Sequence, residues 1–192
     1  MLHLVVTLAS LYFAIPGGPQ QHKGASDSGK LYWQLREGHI WLATHDDMGD
    51  SSELCSVSYA WGNLHVYFAP NDQSIIVEDG GPSVGVTLRM FRRGKGVQFI
   101  EEEGFDSAVQ RAALRRFHVP NRALDHSYTS LEGWLDGGKG ALIGLRGKGQ
   151  WRGQRVHIDW LGIYLVRSGK FTSNLEVFNK DASYVGKMPD DR

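Results

Sequence analysis

The sequence is poor in cysteine and has no excess of charge of either sign. Cys55 is the only cysteine among the 192 residues, which excludes an intramolecular disulfide and a cysteine-rich metal site within this chain. Lys and Arg together number 21, and so do Asp and Glu. Domains that bind nucleic acid normally carry a marked basic excess, so this balance argues against a nucleic-acid partner. We interpret Cys55 as a buried, small apolar residue on a strand.

The sequence also lacks an apolar run long enough to predict a membrane span. Residues 1–15 are apolar and are followed by Pro16-Gly17-Gly18-Pro19, which is short for a transmembrane helix. We predict a secretory signal peptide at residues 1–18, and therefore a periplasmic or secreted protein that is not integral to the membrane once the leader is cleaved. A first buried strand is the alternative, because no Lys or Arg precedes the run and no Ala-x-Ala site follows it. Residues 19–30 are small and polar and are predicted to be a linker.

Recognisable catalytic and cofactor motifs are absent as well. The sequence has no Gly-x-Ser-x-Gly nucleophile motif. Residues 94–96 and 147–149 both read Gly-Lys-Gly but lack the P-loop pattern, so we predict turns there. The acidic stretch 46–52 lacks the spacing of an EF-hand loop and is interpreted as a solvated turn. No cofactor is predicted.

The sequence does contain clear hairpin signals, together with 24 glycines and frequent aromatic residues. Val66–Phe68 and Ile75–Val77 are β-branched and aromatic, as a pleated, half-buried surface requires. Pro70, Asn71 and Asp72 between them favour a tight turn. This stretch predicts a β-hairpin. Further strands are predicted at 31–35, 39–43, 54–59, 86–91, 97–100, 131–135, 141–145 and 157–166.

One helix is predicted at residues 106–119. Asp106 or Ser107 is the expected N-cap, and Pro120 ends the helix because the residue before proline avoids the α region. Four apolar residues fall on one face at helical spacing: Val109, Ala112, Ala113 and Phe117.

The order strand, turn, strand, loop, strand, Gly-Lys turn, strand occurs twice, with an offset of 66 residues between Phe68 and Trp134. Self-similarity on this scale indicates repeated supersecondary units. We therefore predict one β domain over residues 31–178, followed by a polar tail at 179–192.

Residues 68–77, Phe-Ala-Pro-Asn-Asp-Gln-Ser-Ile-Ile-Val, resemble the "FSPDGxxIAV" blade of β-propellers of the TolB and WD-repeat type. The stretch from Tyr32 to Leu175 is similar to a set of uncharacterised exported bacterial proteins. This second resemblance is carried by Glu78-Asp79-Gly80-Gly81 with Leu88-Arg89-Met90-Phe91, by Asp125-His126-Ser127-Tyr128, by Trp134-Leu135-Asp136, and by Asp159-Trp160 with Tyr164.

The resemblance implies blade-like sheets and brings no activity or catalytic residue with it. A closed propeller has four or more blades, whereas this chain has material for two or three. The expected fold is therefore mainly β, with antiparallel blade-like sheets in a partial β-propeller or an open β sandwich and one short helix. Its sheet edges must be covered or must pair with a second copy, so a homo-oligomer is one expectation.

Histidine and aspartate residues cluster in the second half of the sequence: His118, Asp125, His126, His157 and Asp159. His126, His157 and Asp159 are the candidate metal ligands, or a His–Asp pair for acid–base catalysis. Their spacing matches no recognised metal motif. The alternative is that the aspartates orient backbone or Trp N–H groups.

A candidate binding surface lies in the Gly-, Lys- and Arg-rich stretch 146–155, which is predicted to be a loop. Trp151 is an aromatic in polar surroundings, and Arg152 and Arg155 lie beside it, a combination found in partner surfaces. The alternative is that Trp151 folds back over the sheet. A second contact loop is predicted at 78–85.

These observations favour a non-enzymatic, exported binding or scaffold domain whose partner is an envelope or secreted protein. The rival hypothesis is a metal-assisted hydrolase that uses the His and Asp residues of the second half. A third hypothesis is a domain with a purely structural role, which binds no ligand.

Overall fold

The structure of the protein is a computed structural model that describes residues 23–58, 63–81, 85–120, 123–172, 175 and 183–187. The predicted signal peptide at 1–18 lies outside these residues. The described residues form two β-sheets, one α-helix and a 3₁₀ turn at Asp136–Gly138, without a closed barrel. The predicted fold class, mainly β with one short helix, is therefore confirmed.

The small sheet has four antiparallel strands in the order β1-β2-β3-β4 within the described residues. Its strands are β1 (Lys23–Ala25), β2 (Tyr32–Arg36), β3 (His39–Ala43) and β4 (Ser52–Ser56). Strand β1 lies within the stretch 19–30 for which we predicted a linker. Its three residues pair with β2 from Lys23↔Gln34 to Ala25↔Tyr32.

The large sheet has nine strands within the described residues, in the order β12-β11-β10-β9-β7-β6-β5, with β8 on β7 and β13 on β11. Its first four strands are β5 (Asn63–Phe68), β6 (Ser74–Gly81), β7 (Gly85–Arg93) and β8 (Phe99–Glu101). The other five are β9 (Leu124–Leu135), β10 (Gly140–Trp151), β11 (Gln154–Leu165), β12 (Lys170–Thr172) and β13 (Ser183–Lys187). Strand β13 falls within the stretch predicted to be a polar tail.

Strands β5–β8 and β9–β12 are two antiparallel meanders that lie side by side. Between them, the described residues contain one β-bridge, the parallel pair Val86↔Tyr128. The two meanders therefore meet along a seam with very little backbone hydrogen bonding.

The hairpin predicted at 66–77 is confirmed. Strands β5 and β6 pair from Phe68↔Ile75 to Asn63↔Gly80, and Asp72 takes a left-handed conformation (φ 54°) in the turn. Asn71 accepts a hydrogen bond from the Gln73 N–H at 2.9 Å, as expected of a turn asparagine.

The predicted loop at 146–155 is instead a continuous hairpin. Strands β10 and β11 pair over twelve residues each, from Gly140↔Leu165 to Trp151↔Gln154. The Gly-Lys-Gly turn predicted at 147–149 is likewise part of β10. Glycine is needed there for close strand packing, since a Cβ on Gly149 would lie 2.0 Å from the Ala123 carbonyl oxygen.

The helix, α1, spans Phe105–Phe117, close to the predicted bounds. The predicted N-cap is wrong: Gly104 occupies that position in a left-handed conformation, and no side chain caps the helix. At the other end His118 is left-handed, and its N–H bonds to the carbonyl oxygens of Leu114 and Arg115.

Two apolar cores flank the first meander, because alternate residues of β6 and β7 point to opposite faces. The smaller core lies between the small sheet and one face: Trp33, Ile40, Leu42, Cys55, Leu64, Ile75, Val77 and Phe91. The larger core joins the other face to α1 and to the second meander. It includes Ile76, Leu88, Met90, Phe105, Val109, Ala113, Ala141, Ile143, Leu145, Val156, Ile158, Trp160 and Tyr164.

Candidate binding surface and buried carboxylates

The outward face of β9, β10 and β11 presents rows of long polar side chains to solvent. Residues 143, 145, 156 and 158 are buried, so the alternate positions of these strands face outward. One row across the strands is His126, Lys148 and His157, and the next is Tyr128, Arg146 and Asp159. All six are exposed.

The turn of the β10–β11 hairpin extends this surface. Arg152 and Gly153 form the turn, both with positive φ (52° and 73°). The Arg152 guanidinium lies 5.3 Å from the ring centroid of Trp151. Arg152 and Arg155 are exposed, whereas Trp151 is half-buried and packs against the larger core. Of the three predicted binding residues, the two arginines thus lie at the surface, and Trp151 folds back over the sheet.

The three predicted metal ligands lie on the outward face but do not converge. Lys148 lies between His126 and His157 in the row, and the Asp159 carboxylate pairs with Arg146 at 3.4 Å. Over the part of the chain that the structure describes, no group of three or more His, Cys, Asp or Glu side chains is arranged to hold a metal ion. A cation between the two imidazoles disfavours a metal there, so the metal hypothesis gains no support from the geometry.

The second predicted contact loop, 78–85, begins as strand. Residues 78–81 belong to β6, and both Glu78 and Asp79 are buried. Asp79 accepts a hydrogen bond from the Ser58 N–H at 2.6 Å. These carboxylates are therefore structural groups and not parts of an exposed loop.

Glu78, on the seam between the meanders, is a buried carboxylate to which the sequence assigns no role of its own. Its Oε1 accepts the Leu131 N–H at 2.7 Å, and its Oε2 accepts the Tyr67 hydroxyl at 3.2 Å. Burial raises the pKa of Glu78, and the two hydrogen bonds oppose that rise. Burial and the neighbouring Glu78 carboxylate raise the pKa of Tyr67. His65 stacks on Tyr67 with ring centroids 5.8 Å apart, and burial lowers the pKa of this histidine.

Asp106 forms a second hydrogen-bonded contact across the seam, between β7 and β9. It does not cap its own helix but accepts the Leu88 N–H of β7 at 3.2 Å and lies 2.9 Å from the Thr129 hydroxyl of β9. The same hydroxyl lies 2.8 Å from the Val86 carbonyl oxygen. The sequence signals for Asp106 and Glu78 are weak, because their partners are 23 and 53 residues away.

Arg89 connects the two sheets. It pairs with both carboxylate oxygens of Glu101, at 2.7 and 2.5 Å, and donates to the Ser56 carbonyl oxygen of β4 at 2.6 Å. Its guanidinium also lies 5.3 Å from the Phe91 ring centroid. Arg92 of β7 forms a second arginine–glutamate pair, with Glu102.

No protein-family model, no curated protein and no solved structure matches this chain. Within the described residues, no helix has the length and apolar character needed to cross a membrane.

Proposed function

We propose that this protein is an exported binding or scaffold domain that docks a protein partner through the outward face of β9–β11 and the adjoining hairpin turn. We call these residues the outer face: His126, Tyr128, Arg146, Lys148, Arg152, Arg155, His157 and Asp159. The observation that supports the proposal is that a broad surface of paired strands holds cations in excess. The outer face has four cationic side chains and one carboxylate, Asp159, which pairs with Arg146; Lys148, Arg152 and Arg155 are exposed as well.

The chemistry of the outer face favours a partner with an acidic surface. Complementary charge steers encounter and fixes orientation, and Arg and Tyr are enriched in the central contacts of protein interfaces. Tyr128 is 42% exposed and lies beside Arg146 in the row, which supplies an aromatic contact next to the cations. The two 12-residue strands β10 and β11 carry most of these side chains on a paired sheet. The backbone therefore loses little conformational entropy when the partner binds.

Site-specific photo-cross-linking in the source organism tests the proposal. A photoreactive residue at Lys148 or Arg155 is expected to capture one partner that the same residue at Arg111 or Arg115, on the exposed side of α1, does not capture. Capture of a second copy of this chain would instead assign the outer face to self-association. Equal capture from both surfaces would contradict the proposal.

Charge reversal provides the quantitative measurement once the partner is identified. Lys148→Glu with Arg155→Glu is expected to weaken binding at least about tenfold, because like charges replace complementary ones. The matched variant Arg111→Glu with Arg115→Glu carries the same change in net charge on the helix and is expected to bind as the wild type does.

The metal-assisted hydrolase is not proposed, because its three candidate ligands do not converge in the described structure.

A further inference from the structure

A cleft opens on the small sheet, away from the outer face. It has a volume of about 360 Å³ and is lined by β1, β2 and the segment that follows β3. The lining includes Lys23 and Gly24 of β1, Tyr32 and Trp33 of β2, and Asp46 and Met48 beyond β3. The volume is large enough for a molecule the size of an amino acid, and small-ligand sites are concave and mostly apolar with a few polar groups.

The apolar part of the cleft depends on a close approach between two strands. Gly24 pairs with Trp33, and a Cβ on Gly24 would lie 2.5 Å from the Trp33 Nε1. Only glycine at position 24 therefore allows the indole to lie across β1. Met48 is 6% exposed and takes a left-handed conformation (φ 59°), which is uncommon for a long side chain. Residues held in such conformations cluster at ligand-binding sites.

The polar part of the cleft carries one charge of each sign. Lys23 and Asp46 are both exposed, and among the described ion pairs none joins them. Gln34 adds an amide whose oxygen accepts the Arg36 Nε–H at 2.9 Å. An ammonium and a carboxylate that line one cleft without pairing are each available for a ligand group of opposite charge.

We infer that this cleft binds a small zwitterion with an apolar side chain, that is, a free apolar amino acid. Lys23 pairs with the ligand carboxylate and Asp46 with its ammonium group. The edges of the Trp33 and Met48 side chains that reach the cleft, 3% and 6% exposed, contact the apolar side chain. This assignment does not depend on the proposed function, because the cleft and the outer face belong to different sheets.

Three related probes separate the contributions of the two charges. They are L-leucine, 3-methylbutylamine, which lacks the carboxylate, and 4-methylpentanoate, which lacks the amine. Calorimetric titration of the full chain is expected to give saturable one-to-one binding of L-leucine, with about tenfold weaker binding of each of the other two. In a parallel NMR titration, the Trp33 indole N–H resonance is expected to shift with L-leucine.

Two conservative variants then assign the contacts. Lys23→Gln is expected to weaken L-leucine about fivefold to tenfold and to leave 3-methylbutylamine unchanged. Asp46→Asn is expected to weaken L-leucine similarly and to leave 4-methylpentanoate unchanged. The matched controls Lys30→Gln and Asp50→Asn remove the same charges nearby, at exposed residues outside the cleft lining, and are expected to bind all three probes as the wild type does.

Several results would overturn the inference. One is the absence of saturable binding of L-leucine up to its solubility limit. Another is equal affinity for the three probes in every variant, because that result would show that neither charge contacts the ligand. Binding of a neutral sugar such as cellobiose in preference to L-leucine would replace the zwitterion with a different ligand class.

Discussion

The carboxylate of Glu78 on β6 accepts the backbone N–H of Leu131 on β9 at 2.7 Å. Backbone pairing between the two meanders is limited to Val86↔Tyr128 over the described residues, so side chains supply much of the polar contact at the seam. Burial raises the pKa of Glu78, which makes this contact sensitive to pH.

Glu78 is expected to make the protein less stable as pH rises above its ordinary pKa of 4.5. A carboxyl whose pKa is raised in the folded state stabilises that state when protonated, and this contribution is lost as pH rises through the folded-state pKa. The free energy of unfolding of the wild type, relative to that of Glu78→Gln, should therefore fall between pH 4 and pH 8. Urea unfolding at several pH values measures the difference.

The matched control for this prediction is Glu103→Gln, at an exposed glutamate. Its stability relative to the wild type should change little over the same pH range. A wild type that gains stability relative to Glu78→Gln with rising pH would show that the folded state favours the ionised carboxylate.

Loss of the Thr129 hydroxyl is expected to weaken the seam. Thr129→Val keeps the shape of the side chain but removes a buried donor that lies between the Asp106 carboxylate and the Val86 carbonyl oxygen. We expect a loss of about 1–3 kcal/mol in the free energy of unfolding. Thr129→Ser keeps the hydroxyl and should recover most of this loss. A loss of stability in Thr129→Ser but not in Thr129→Val would instead assign the contribution to the methyl group.

Substitution of Gly162 is expected to destabilise the second meander. A Cβ on Gly162 would lie 2.1 Å from a ring carbon of Trp160, because the indole covers this glycine. Gly162→Ala should lower the free energy of unfolding by about 1–3 kcal/mol, the range seen for overpacking. Gly133→Ala is the control, since nothing lies within 4 Å of a Cβ there. Both can be measured by urea unfolding followed by tryptophan fluorescence.

The Cys55 thiol is expected to be unreactive in the folded protein. Burial raises its pKa to about 12, and Arg89 opposes that rise. The thiolate is the reactive form, so alkylation by iodoacetamide at pH 8 should follow unfolding and accelerate sharply in urea. A cysteine introduced at the exposed Ser168 of a Cys55→Ala background should react at once. Rapid alkylation of Cys55 in the native protein would contradict its burial.

The elements that the sequence predicted well are those with local signals. The hairpin at 66–77 is defined by a turn and two short apolar strands, and the helix by its periodic face and Pro120. For residues 146–155 the sequence predicts a loop and not the paired strands β10 and β11, because Gly147 and Gly149 are typical of turns. Because these glycines lack a Cβ, the Leu124 side chain and the Ala123 backbone can pack directly against β10. The spacing of residues in the sequence does not reveal this contact between segments.

The candidate sites were less predictable than the fold. Exposure of Arg152 and Arg155 followed from their polar surroundings. The pairing of Asp159 with Arg146 depends on the register between two strands, and the cleft depends on β1, a three-residue strand with little apolar character. Such sites arise where distant segments meet, so their residue types alone give little signal.

The seam between the two meanders also affects how the chain folds during its synthesis on the ribosome. A ribosome delivers the first meander, the small sheet and α1 before any residue of β9 exists, and domains begin to fold in that order. During that interval one face of β6 and β7, with Ile76, Leu88 and Met90, lacks the cover that the second meander provides. We expect a nascent chain stalled once residue 123 has left the ribosomal exit tunnel to recruit a chaperone through this face, and cross-linking from position 76 during translation would detect it. Synthesis of the second meander, residues 124–172, would end the interval. A stalled chain that recruits no chaperone through this face would contradict the expectation.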